Sequence, residues 1–150
     1  MSASETHVPE KLQDIIGAFK SVPGKLRLQL LLEFSKKVPP LPAHLSDNQD
    51  QMERVHECQT PFFVATEVRG ERVLFHFDAP PEAPTTRGFA GILSEGLSGL
   101  EPAEVLATPN DFYTDMGLAE VISPLRLRGM EAIMGRLKRQ VGEHQVGLEP

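Results

Sequence analysis

Val73, Phe75 and Phe77 recur at every second position, while before Cys58 and after Gly88 apolar residues recur at three and four. A hydrophobic period that changes from helical to extended and back reads as helices combined with a small sheet. Leu12, Ile15, Ile16 and Phe19 predict a first helix, which breaks at Ser21-Val22-Pro23-Gly24. A second, from about Lys25, carries Leu26, Leu30, Leu31, Phe34 and Val38 and is stopped by Pro39, Pro40 and Pro42. Residues 39–57 are polar and predict a long, mostly irregular connection. Such connections are often functional when ordered. Residues 62–68 and 73–77 then predict a hairpin around Arg69-Gly70-Glu71, with Val73, Phe75 and Phe77 on its better-buried face and Thr85 and Thr86 as a short third strand.

A helical pattern resumes over residues 88–100, where Gly88, Gly91, Gly96 and Gly99 predict close packing against the sheet. Glu101-Pro102 opens a short helix, and residues 109–118 form at most a single turn. Ser123-Pro124 opens the last helix, with serine as N-cap and proline in its first turn. Leu127, Met130, Ile133, Met134, Leu137 and Val141 are its apolar stripe, Arg136 and Lys138 its solvated charges, and a polar tail frays from Gly142. The order of elements is α+β: a small antiparallel sheet packed with several helices. The expected organisation is a single domain over residues 1–150, with its core at about 8–141 and polar tails at both ends.

Lys+Arg number 15 against 21 Asp+Glu, a net charge of −6, which excludes a general nucleic-acid binder. It fits a partner with a basic surface. No stretch is apolar enough to span a bilayer, and the polar, acidic start of the chain is not a signal peptide. The expected location is cytoplasmic. One cysteine rules out an intrachain disulfide and a zinc site built on several thiolates. The five histidines, His7, His44, His56, His76 and His144, lack metal-ligand spacing, and the glycines match neither a dinucleotide nor a P-loop fingerprint. The carboxylate pairs Glu53/Glu57 and Glu101/Glu104 are read as surface charges.

That leaves Cys58, at the junction of the polar connection and the first strand. A lone cysteine beside hydrophobic residues is either a small buried hydrophobe or a nucleophile on a loop carried by a rigid scaffold. If residues 55–59 are extended, His56 and Cys58 project to one side and Glu57 to the other. A nearby cation would favour thiolate, and Glu57 would oppose it.

Val55-His56-Glu57-Cys58-Gln59-Thr60, followed by Phe62-Phe63, resembles the C-Q-[ST] segment of the SufE-like cysteine-desulfuration family. Ile122-Ser123-Pro124-Leu125-Arg126-Leu127-Arg128-Gly129-Met130 resembles that family's segment at the start of its C-terminal helix. The resemblance covers residues from about 8 to 141 and implies the SufE/IscU-like fold. It implies a sulfur acceptor and not an enzyme: Cys58 takes persulfide sulfur from a PLP-dependent cysteine desulfurase, stimulates it, and delivers sulfur to an iron–sulfur scaffold protein. PLP belongs to the partner, and this chain is expected to hold no cofactor or metal and to be a monomer, with a dimer left open. His56, Gln59, Thr60 and Arg126 are the supporting candidates. Arg126 is either a cation near the cysteine loop or a solvated first-turn arginine. The chain departs from the pattern at Glu57, where glycine is common, and has phenylalanine where tryptophan is common. Two other readings stand beside this one: a cysteine-nucleophile hydrolase, and a regulatory binding module of the same fold with an inert cysteine.

Overall fold

The computed structural model describes residues 7–148, with side chains through residue 144. Residues 1–6 and 149–150, parts of the expected polar tails, lie outside the described residues. Helices α1 (Glu10–Ser21) and α2 (Gly24–Ser35) lead through a short helix α3 (Ala43–Ser46) to strands β1 (Glu53–Arg54), β2 (Phe63–Arg69) and β3 (Arg72–Asp78). Helices α4 (Pro84–Gly96), α5 (Pro102–Ala107) and α6 (Pro124–Leu148) follow, with two 3-10 helices, Phe112–Met116 and Leu118–Glu120, before α6. This is the α+β architecture expected, with the antiparallel sheet in the order β1-β2-β3.

The β2–β3 turn is tight because Gly70 takes φ +62°, open to glycine without steric cost. Register pairs Val64 with Phe77, Thr66 with Phe75 and Val68 with Val73, so these residues share one face. Val64, Val73, Phe75 and Phe77 are buried there, as alternation requires, in a core shared with α1, α2, α4 and α6. The opposite face carries Ala65 and Phe63, covered by Leu41, Leu45 and Met52 from the preceding connection.

Several local expectations are corrected. Thr85 and Thr86 lie in the first turn of α4, where Pro84 stands at the first helical positions, so the third strand is β1 instead. The 39–57 connection is more ordered than expected, carrying α3, a 3-10 turn at Gln49–Gln51 and β1 between irregular stretches. Gly88 and Gly91 face α2, not the sheet. A Cβ there would come within 2.4 Å of Leu31 O and 1.9 Å of Phe34 O, so only glycine lets the two helices approach this closely. Helix α6 runs on past Gly142 to Leu148, with no fraying at that glycine. Of its stripe, Met130, Ile133, Met134, Leu137 and Val141 are buried as expected, and Leu127 is partly buried, packed against the same core. In α2, by contrast, Leu26 is exposed, and Val38 is buried but lies beyond the helix. No described helix is long and apolar enough to cross a membrane.

Candidate functional site

Cys58 sits at the tip of the loop joining β1 to β2. The strands pair Glu53 with Val64 and Arg54 with Phe63, and Val55 N–H donates to Phe62 O at 2.8 Å, closing the base of the loop. Val55 and Phe62 are fully buried, so apolar contacts anchor both ends of the loop. Within it, Cys58 N–H donates to Val55 O at 3.1 Å, which folds residues 55–58 into a turn. The extended arrangement considered for this segment is therefore not adopted. His56 and Glu57, the central residues of the turn, are exposed, and His56 is not among the residues lining the cleft at Cys58. Among the described residues no non-glycine has a positive φ, so glutamate replaces glycine at position 57 without backbone strain.

The thiol is turned inward, with Cys58 only 9 % exposed. It packs on α6 at Gly129, where a Cβ would lie 3.3 Å from Cys58 Sγ and 3.8 Å from both Cys58 Cα and Glu57 O. The S–H points toward Gly129 O at 4.0 Å, a weak contact. The cleft around it is lined by Gln59, Thr60, Thr86, Leu125, Arg126 and Gly129, among others. About 20 Å³ is open within it, space for roughly one water-sized group. Thr60 Oγ1 is buried there without a hydrogen-bond partner.

Arg126 thus shares the cleft with Cys58, although its side chain is exposed. Its backbone N–H donates to Ser123 Oγ at 3.3 Å, the N-cap contact that starts α6. The cation acting on Cys58 is a different one, Arg136, whose position in the sequence predicts a solvated charge. Its guanidinium forms an ion pair with Glu53, Nε to Oε2 at 2.8 Å, and donates from Nη2 to Glu57 Oε1 at 3.0 Å, and only a quarter of its side chain is exposed. Gly129 and Arg136 are seven residues apart, two turns of helix, so α6 presents the packing notch and the cation along one face. The helical spacing was visible in the sequence; the pairing with a glutamate 79 positions away was not.

Burial pushes the Cys58 thiol up from 9.0 to about 11; the Glu57 carboxylate adds to the rise and Arg136 opposes it. The sign left open by sequence is therefore upward, toward a neutral, shielded thiol. Among the described residues no group of three or more histidine, cysteine or acidic side chains is arranged to hold a metal ion. Chemically, the arrangement is a single buried thiol with a space beside it about as large as one further atom.

The family described as SufE: Fe-S metabolism associated domain matches residues 13–141. An uncharacterized SufE-like protein of Mycobacterium tuberculosis is 50 % identical over 137 residues, covering 91 % of this chain and 94 % of that one. A Plasmodium vivax protein named cysteine desulfuration protein SufE is 26 % identical over 138 residues, covering 89 % of this chain and 54 % of its own. The solution structure of a hypothetical protein from Thermus thermophilus superposes with a TM-score of 0.83 at 49 % identity, covering 93 % of this chain and 99 % of that one. With its two motifs brought together at the cysteine cleft and nearly the whole described chain matched, this protein belongs to the SufE family.

Proposed function

We propose that this chain is a sulfur acceptor acting beside a PLP-dependent cysteine desulfurase, and that Cys58 is the residue that receives the sulfur. The observation that carries the reading is the placement of the chain's one thiol at the tip of an anchored hairpin loop, in a cleft with room for about one more atom. The Plasmodium relative named as a cysteine desulfuration protein supports the same reading. In the step, the Cys58 thiolate attacks the terminal sulfur of the partner's cysteine persulfide. The partner's S–S bond breaks, its cysteine leaves as thiolate, and a new S–S bond forms on Cys58. The Cys58 proton goes to solvent, and the sulfane sulfur changes hands without net oxidation. PLP chemistry stays with the partner, so the chain is an accessory protein that draws off the desulfurase's product and passes sulfur to an iron–sulfur scaffold.

The closed loop is then the resting state. With the thiol at about 11, thiolate at neutral pH amounts to on the order of one molecule in ten thousand. Opening to water returns the thiol toward 9.0 and raises the thiolate fraction roughly a hundredfold. Closing again shields the bound sulfur from stray thiols. Thr60 Oγ1, buried and unpartnered on a residue that lines the cleft, can turn to donate to that sulfur, and Arg126 at the rim supplies positive charge. Leu125, 40 % exposed at the same rim, gives a partner an apolar contact. A cysteine hydrolase would need a base beside the thiol, and no histidine is among the residues that line the cleft.

The test is intact-mass analysis after incubation with a cysteine desulfurase, free cysteine and PLP. One sulfur atom should be added, located on Cys58, removed by reductant, and absent in Cys58→Ser. Sulfur uptake surviving in Cys58→Ser would overturn the assignment. Binding without uptake would show a regulatory module instead.

A further inference from the structure

The two ends and the tip of the cysteine loop are held by different forces. Val55 and Phe62 anchor the ends by apolar burial. The tip meets α6 through the Cys58–Gly129 contact and through Glu57, whose carboxylate receives both terminal nitrogens of Arg136, at 3.0 and 3.4 Å. Bidentate arginine–carboxylate pairs define a geometry as well as an attraction.

Arg136 holds its two carboxylates unequally. Glu53, on β1, also accepts hydrogen bonds from Arg139 and from Gln140, the latter at 3.0 Å. Burial pushes the Glu53 carboxyl up, but the hydrogen bonds from Gln140 and Arg139 and the charges of Arg139 and Arg136 leave it below the ordinary value. Glu57 has Arg136 as its one ion-pair partner among the described residues. If one carboxylate lets go, it is Glu57, and Arg136 stays docked on Glu53. Glu57 is also the half of the pair that faces outward, with 48 % of its side chain exposed against 25 % for Arg136. An approaching protein therefore meets the carboxylate first, and the group that competes for a carboxylate is a cation.

We infer that the Glu57–Arg136 pair is a latch that keeps the cysteine loop shut, and that a basic side chain on the sulfur-donating partner opens it by taking Glu57 from Arg136. The inference rests on Cys58 being the sulfur acceptor. It adds two positioning residues that act on the thiol through the loop, and it gives the partner's surface a chemistry. Capture of Glu57 by the partner's cation frees the tip and brings a second cation to the carboxylate beside the sulfur. Both effects favour thiolate.

The test is alkylation of the free, folded protein by iodoacetamide, a neutral probe, followed by intact mass across a range of pH. Glu57→Gln should react on the order of fivefold faster at neutral pH, the scale of one half-exposed ion pair, with its apparent thiol pKa lowered. Arg136→Gln should also react faster, but without that lowering, because it loses the cation along with the latch. Arg136→Lys should restore part of the protection, and the double substitution Glu57→Gln/Arg136→Gln should be no faster than the faster single. Raised salt should speed the wild type and leave Glu57→Gln nearly unchanged. A desulfurase with its own reactive cysteine replaced should accelerate the wild type and add little to Glu57→Gln. Wild-type alkylation by Glu57→Gln at every pH would overturn the latch, and equal acceleration of both proteins by the inactive desulfurase would overturn cation capture. Glu57→Gln should lower the unfolding midpoint by no more than the loss of one half-exposed ion pair, so the protein stays folded and the alkylation rate reads the loop. The alkylation series without partner involves no sulfur transfer, so a failed latch leaves the sulfur-acceptor reading standing, and failed sulfur uptake with an intact latch does the reverse.

Discussion

Gly129→Ala sets a helix preference against the cysteine loop. Inside α6, alanine in place of glycine favours the helix by about 0.5–1 kcal/mol. Gly135 shows that gain alone, since a Cβ there meets nothing within 4 Å. At Gly129 the new methyl would stand 3.3 Å from Cys58 Sγ, closer than carbon and sulfur ordinarily sit, so the loop must give by a few tenths of an ångström. That shift opposes the helix gain, at a cost on the order of 1 kcal/mol for mild overpacking. Gly135→Ala should therefore raise the urea midpoint clearly, and Gly129→Ala should leave it near wild type. The sulfur is the source of the conflict, so Gly129→Ala in a Cys58→Ala background should recover most of the gain seen at Gly135. The displaced loop should also expose the thiol, and iodoacetamide should label Cys58 several-fold faster in Gly129→Ala. If Gly129→Ala stabilises the Cys58 protein as much as Gly135→Ala does and leaves labelling unchanged, the thiol does not rest on Gly129 and the closed loop is wrong.

Two further outcomes follow from the same packing. Leu137→Ala, which truncates a fully buried side chain, should cost about 2–5 kcal/mol in denaturant unfolding, and Arg136→Ala about 1 kcal/mol because its ion pairs are partly exposed; the reverse ranking would show that the buried face of α6 is misassigned. The buried thiol also predicts an alkaline limit. Because its folded pKa lies above the unfolded value, its contribution is fully present below 9.0 and is lost as pH rises through about 11, up to about 2–3 kcal/mol. Stability measured between those limits should fall more steeply for wild type than for Cys58→Ala, and parallel curves would mean that the thiol titrates as if in water.

Local pattern determined much of this protein. The alternation of Val73, Phe75 and Phe77 set the buried face of β3, and the spacing of Met130, Ile133, Met134 and Leu137 set the buried face of α6. Ser123 and Pro124 marked where that helix begins. These are short-range statements, since side-chain direction follows from the strand or helix period alone. Cys58 stood out for a similar reason, as the one thiol in the chain, lying next to the predicted strand. Tertiary structure decided the rest. Whether residues 55–58 are extended or turned depends on where Phe62 returns to meet Val55, which no local preference of His56 or Glu57 specifies. Thr85 and Thr86 have β-prone side chains, yet they follow Pro84 into a helix whose glycines fit against α2. Arg136 reads as a solvated charge from its own helix because both of its partners come from β1 and the cysteine loop, distant in sequence. The direction of the Cys58 shift was also undecidable locally: burial, Glu57 and Arg136 act on the thiol together, and their balance exists only once α6 has folded across the cysteine loop.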